Sequence, residues 1–85
     1  MVKGQARVYS KMGLHARPAA VIASYVGKCE ADVVFRYKDR ELDPSRYLAL
    51  MSLGAKAGDM IELEVNGSDE AQVYSELKRM IETLD

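Results

Sequence analysis

The sequence predicts a two-layer α+β domain: a four-stranded antiparallel sheet with three helices on one face, in the order β-α-β-β-α-β-α. Three observations carry that prediction. Residues 2–9, 32–37 and 60–65 alternate apolar and polar side chains in the two-residue period of a strand with one wet face, and residues 41–43 complete a hairpin. Three other segments repeat apolar residues three and four apart, the spacing of a helix packed on one side. At 85 residues the chain holds one core rather than two, so residues 1–85 form one domain and the helices must share one sheet face.

The first strand sets Val2, Gly4, Ala6 and Val8 against Lys3, Gln5, Arg7 and Tyr9, with Gly4 weakening it. Residues 11–14 are a loop. A helix begins at Ala16, with Ala19, Ala20, Ala23 and Val26 as its stripe, widened by Ile22. Pro18 suits its first turn, where a missing N–H loses no intrahelical bond. Gly27 is the expected left-handed stop, with Lys28 favouring the negative end of the dipole. The second strand puts Val33, Phe35 and Tyr37 on one face. The turn 38–40 should place its positive φ on Asp39. A short helix over 46–53 follows, capped by Asp43 or Ser45 and ended by Gly54. The fourth strand buries Ile61, Leu63 and Val65. Ser68 or Asp69 caps the last helix, Gln72 completes a capping box with Asp69, and Val73, Leu77, Met80, Ile81 and Leu84 form its stripe.

Composition narrows the function. Apolar residues make up 48%, as in an ordinary globular chain, so disorder is not expected. Twelve basic and thirteen acidic residues leave a net charge of -1, which lacks the basic stripe a nucleic-acid binder needs. No apolar run reaches membrane-spanning length, and the first ten residues lack a signal-peptide core, so membrane insertion is not expected and the expected location is the cytoplasm. Cys29 is the only cysteine and His15 the only histidine, so no internal disulfide, metal site or cofactor is expected. Cys29 reads as a packed or half-exposed thiol.

The informative residue is His15, within Gly13-Leu14-His15-Ala16-Arg17-Pro18-Ala19-Ala20. The pattern places its imidazole on the first turn of a helix. That terminus disfavours an imidazolium and keeps the ring a neutral nucleophile toward phosphorus. Its free N–H groups, the Ala16 amide among them, suit a phosphoryl group carried on the ring, and Arg17 adds a fork of donors with a fixed charge. A lone histidine at a helix start is more often a surface residue or cap than a nucleophile. The chain also lacks a general base beside His15, a glycine-rich phosphate cradle and paired carboxylates. Such a domain relays a phosphoryl group between enzymes and is not itself an enzyme.

The motif 13–19 resembles the active-site signature of HPr, the histidine-containing phosphocarrier family of the bacterial phosphoenolpyruvate-dependent sugar phosphotransferase system. A second block, Met51-Ser52-Leu53-Gly54, stands at the family's separation from the histidine. Length and element order match as well. The resemblance implies an open-faced sandwich, phosphorylation of Nδ1 of His15, and Arg17 accompanying it. It also implies Enzyme I as donor and a IIA domain of a sugar permease as acceptor. One copy of the chain suffices for such a site, so a monomer is expected.

Tyr47, Leu48, Leu50, Met51 and Leu53 make the short helix apolar nearly all round. Leu50 and Leu53 are expected in the core, and Tyr47, Leu48 and Met51 in an exposed patch. The resemblance assigns partner docking to this helix together with the first, where Ala20 joins the surface. Two positions depart from the family. Arg46 stands where many low-GC Gram-positive members carry a regulatory serine, and the neighbouring Ser45 reads as a helix cap rather than a kinase site. Met12 replaces a small polar residue and removes one hydrogen bond near the phosphoryl group. The alternative readings are a nitrogen-branch or regulatory relative with the same chemistry, or a docking protein that uses phosphorylation only as a switch.

Overall fold

The alternating segments assemble into one sheet in the computed structural model, which describes residues 1–85. The elements are β1 (Val2–Arg7), α1 (Ala16–Lys28), β2 (Asp32–Tyr37), β3 (Arg40–Leu42), α2 (Tyr47–Met51), β4 (Met60–Asn66) and α3 (Glu70–Thr83). The sheet runs β1-β4-β2-β3, and every neighbouring pair is antiparallel. Because β4 lies between β1 and β2, those two strands are parallel and joined by α1. By the same geometry β3 and β4 are parallel and joined by α2. These two split crossovers carry their helices to the same side as α3.

The core follows the alternation. Ala6 from β1, Val33, Phe35 and Tyr37 from β2, and Ile61, Leu63 and Val65 from β4 are all buried. They meet Ala19, Ile22, Ala23 and Val26 of α1, Leu50 of α2, and Val73, Leu77, Met80 and Ile81 of α3. Each large side chain so buried contributes about 1.5–3 kcal/mol relative to exposure. The other sheet face is polar. There Arg36, one-third exposed, donates to Glu41 at 2.8 Å, Glu62 at 2.9 Å and Glu64 at 2.7 Å. These contacts hold the Glu64 carboxyl below its ordinary range.

The free edge of β1 is covered by α3. Lys78 Nζ donates to Gln5 C=O at 2.8 Å and pairs with Glu82 at 3.1 Å, while Glu82 accepts the Arg7 N–H at 3.4 Å. The Tyr9 N–H continues the row by donating to Ile81 C=O at 3.1 Å. A Cβ on Gly4 would lie 2.1 Å from the Tyr74 hydroxyl, so glycine lets α3 settle onto the strand.

Several local expectations are corrected. Gly27 is helical, and α1 runs on through Lys28 to an extended Cys29 cap whose N–H donates to Val26 C=O. Ala20 leaves the α1 stripe and is exposed. Lys38, not Asp39, takes the positive φ of the β2–β3 turn, at 55°. The short helix covers only Tyr47–Met51 and its cap is Arg46. Neither Asp43 nor Ser45 caps it: Asp43 Oδ1 instead accepts the Ser45 N–H at 2.9 Å and the Ser45 hydroxyl at 2.8 Å, closing a turn ahead of the helix. Asp69 caps α3 by position, but its side chain makes no capping bond and Gln72 completes no box. Glu70 instead accepts the Gly67 N–H at 3.1 Å, closing the turn ahead of the helix. No helix is long and apolar enough to cross a membrane.

Candidate functional site

His15 sits one position earlier than expected, as the N-cap of α1 with extended backbone (φ -87°, ψ -171°) rather than on the first turn. Its main chain is fully engaged: the N–H donates to Gly13 C=O at 2.9 Å, and its C=O accepts the Ala19 N–H at 3.1 Å. Its side chain makes no capping bond, and the residue is half-buried. The His15 backbone is therefore fixed at the mouth of the helix, while both ring nitrogens stay unpaired.

The next three residues shape what the ring faces. Ala16 and Arg17 are exposed, and their N–H groups belong to the turn that has no intrahelical acceptors. Pro18, buried behind them, has no N–H to offer. Two backbone donors thus remain at the mouth of the helix, on the positive end of its dipole. The Arg17 guanidinium forms no ion pair or hydrogen bond with the rest of the chain. No acidic residue lies in the first turn to oppose an anion there.

The loop before His15 is tied down by residues that the linear pattern did not single out. Ser10 is buried; its hydroxyl accepts the Met12 N–H at 3.3 Å and its C=O accepts the Gly13 N–H at 2.9 Å. Ala55 C=O accepts the Leu14 N–H at 3.1 Å. Gly13 has φ +74°, and a Cβ there would stand 2.1 Å from that same carbonyl, so both its backbone and its contact require glycine. The one visible signal was Gly13 itself; its partner 42 residues away was not. The Met12 side chain points into solvent, at 77% exposure.

The proposed docking residues lie on the surface. Tyr47, Leu48 and Met51 are 37%, 78% and 38% exposed, whereas Leu50 and Leu53 are buried as expected. Helical spacing puts Leu48 beside Met51, and Ala20 beside Ala16 on α1. The two helices pack against each other. Arg40 secures the far end of α2, donating to Ser52 C=O at 2.9 Å and to its hydroxyl at 3.3 Å. Ser45 is exposed with its hydroxyl committed to Asp43. Cys29 lies apart from these residues along the sequence, half-buried, with its thiol donating to Tyr25 C=O at 3.2 Å. No group of three or more His, Cys, Asp or Glu side chains is arranged to hold a metal ion.

Comparison with known proteins follows the same lines. The family model described as the PTS HPr component phosphorylation site matches residues 2–83. The phosphocarrier protein HPr of Mycoplasma capricolum is 30% identical over 84 residues, covering 98% of this chain and 94% of that protein. That of Neisseria meningitidis serogroup A is 31% identical over 81 residues, covering 95% and 91%. Among solved structures, HPr from Thermoanaerobacter tengcongensis superposes with a TM-score of 0.89 at 28% identity, covering 96% of this chain and 92% of that one. Crh, the Bacillus subtilis catabolite repression protein solved as a domain-swapped dimer, gives 0.74 at 29% identity with both chains fully covered. Family model, relatives and fold agree: this chain belongs to the HPr family of phosphocarrier proteins.

Proposed function

We propose that this protein relays a phosphoryl group from phosphorylated Enzyme I to a IIA domain of a sugar permease, carrying it on Nδ1 of His15. The observation that carries the reading is a histidine whose backbone is fixed at the N-cap of α1 and whose imidazole has no hydrogen bond of its own, at a helix start that leaves two backbone amides unpaired. The lone pair of the neutral ring attacks phosphorus. A new P–N bond forms as the donor's bond to phosphorus breaks, and the donor leaves with its electron pair. In the second transfer the acceptor nucleophile attacks, and the imidazole of His15 departs in turn. Between transfers, the Ala16 and Arg17 amides and the Arg17 guanidinium neutralise the phosphoryl oxygens.

Catalytic power resides in the partners, because this chain brings donors and a nucleophile but no acid–base pair. Docking uses Tyr47, Leu48 and Met51 with Ala20, a small apolar surface that two successive partners share. Tyrosine and methionine suit such reuse, since one is amphipathic and the other adapts its shape. Exposed Ser45, already bonded to Asp43, has no part in the relay.

The test is incubation with phosphoenolpyruvate and Enzyme I, followed by intact-mass measurement. One acid-labile phosphoryl group is expected on the native chain and none on His15→Ala. Uptake that persists in His15→Ala, or none in the native chain, rejects the reading. Addition of a IIA domain should then discharge the group, which separates a carrier from a protein that is merely switched by phosphorylation.

A further inference from the structure

A chain of hydrogen bonds connects the end of an inner strand of the sheet to the residue before His15. It starts at Tyr37, the last residue of β2, whose ring is buried and whose hydroxyl donates to Asp59 Oδ2. The same oxygen accepts the Lys56 N–H at 2.9 Å, and the Asp59 N–H donates back to Lys56 C=O at 3.0 Å. Residues 56–59 are thereby closed into a turn from both ends. Two further bonds of 2.8 Å, Val8 N–H to Asp59 C=O and Gly58 N–H to Val8 C=O, moor that turn beside β1. Directly before it stands Ala55, whose C=O receives the Leu14 N–H and against which Gly13 is packed. Leu14 leads straight into His15.

The Tyr37 hydroxyl is not needed for packing. Its ring fills the core at the end of β2, and phenylalanine would fill the same space. The hydroxyl's only bond is to Asp59, and that bond is the main cause of a lowered Asp59 carboxyl and a raised Tyr37 hydroxyl. Lys38 and Lys56 add favourable charge to the carboxylate. Without the hydroxyl, the 55–59 segment keeps its main-chain bonds to Val8, the Arg7 guanidinium bond to Gly58 C=O at 3.2 Å and the Asp59–Lys56 bonds, but loses the link from β2 that holds the Asp59 carboxylate, and through it Lys56 and Ala55.

We propose that Tyr37 and Asp59 are positioning residues: they fix Ala55 against Gly13 and Leu14, and so set the aim of the His15 imidazole at an incoming phosphoryl group. This rests on the carrier reading above. In-line transfer tolerates little misalignment, and a shift of about 1 Å costs up to about a hundredfold in rate. None of the proposed docking residues, Tyr47, Leu48, Met51 and Ala20, is a partner in the hydrogen bonds of this tether. Loosening the tether therefore lowers the fraction of docked complexes that are aligned, without weakening docking.

The decisive experiment compares full-length Tyr37→Phe, Asp59→Ala and Asp59→Asn with the native chain. Two quantities are read: steady-state phosphorylation by Enzyme I with phosphoenolpyruvate, and amide hydrogen exchange at Leu14 against Leu77 in α3. For Tyr37→Phe and Asp59→Ala, kcat should fall about tenfold with KM for Enzyme I within about twofold. Leu14 exchange should quicken relative to Leu77. Asp59→Asn keeps an oxygen for both donors and should restore both readouts. Unchanged kcat and Leu14 exchange in Tyr37→Phe overturns the proposal. So does equal acceleration at Leu14 and Leu77, which marks a purely global loss of stability. If the native chain takes up no phosphoryl group, the carrier reading fails and the proposed aim of His15 falls with it, while Leu14 exchange still decides whether the tether exists.

Discussion

Replacing Gly13 with alanine tests whether the loop before His15 is held as described. The backbone at this residue has φ +74°, a conformation that costs an L residue about 1–2 kcal/mol. The added Cβ would also stand 2.1 Å from the Ala55 carbonyl oxygen and 3.1 Å from Lys56 Cα. Both neighbours are backbone, so no side chain can swing aside. Relief requires the two segments to part by about 1 Å, which sacrifices the Leu14 to Ala55 hydrogen bond, worth about 0.5–1.5 kcal/mol net. Together these make Gly13→Ala less stable by roughly 1.5–3.5 kcal/mol, a fall in Tm on the order of 6–28 °C for a domain of this size. Urea unfolding followed by circular dichroism measures the change, with the m value expected to stay constant. Phosphoryl uptake at a temperature where the variant is folded should be slowed as well. A loss of stability below about 1 kcal/mol together with native uptake would refute the reasoning, because the loop would then be free to adjust.

Leu48→Glu places a charge on the most exposed apolar side chain of α2; it should change stability by less than about 0.5 kcal/mol yet raise KM for Enzyme I by about tenfold, a 1.4 kcal/mol loss of binding. Native KM in this variant places docking elsewhere. In acid, Asp59, Glu64, Glu76 and Glu82 all have carboxyl groups held below their ordinary values of 3.8 and 4.5 by hydrogen bonds to Tyr37, Arg36, Arg79 and Lys78. A lowered folded-state value means that the stabilisation is complete above those ordinary values and is lost as pH falls through the folded-state ones. Thermal unfolding should therefore show a flat Tm near neutrality and a decline below about pH 4.5, weakened for Arg36→Met; a decline that begins near pH 6 would point to another group. Lys78→Ala with Glu82→Ala uncovers the outer edge of β1, and concentration-dependent self-association by analytical ultracentrifugation is the expected outcome. A strictly monomeric double variant would show that the edge needs no cover.

What was legible in the sequence depended on how local the determining physics is. The strands with one wet face and the α3 stripe were readable because burial acts residue by residue with a fixed period. Phe35, Leu63 and Leu77 fell where alternation and helical spacing put them. Helix ends were read less well. Gly27 has open space around it and costs little in a helix near its end, so α1 continued to Lys28. Residues 52–53 left α2 in a turn gripped by Arg40, a contact from another element that no local pattern announces. The positive φ fell to Lys38, whose ammonium rests 5.3 Å from the centre of the Tyr37 ring, rather than to the intrinsically more tolerant Asp39. At the site, the motif around His15 was readable because the chemistry is concentrated in consecutive residues. Ala55 and the Tyr37–Asp59 link were not, since they act through the folded chain across 42 and 22 positions, and Ser10 acts locally but carries no periodic signal that sets a buried serine apart from a surface one.

The unbonded side chain at the start of α1 has one more consequence. Aspartate, asparagine or serine at that position would accept a first-turn amide and stabilise the helix by about 1 kcal/mol; histidine leaves the amides open. On the carrier reading, the helix is completed by its cargo. Oxygens of a phosphoryl group on His15 would serve as the absent N-cap acceptors, so that loading the protein also finishes folding the mouth of α1. Linkage then runs both ways: whatever firms that mouth tightens the hold on the phosphoryl group, and discharge to an acceptor returns the helix to its uncapped state. The charged and empty forms would thus differ most in the order of residues 15–18, giving each partner a local cue to which form it has met.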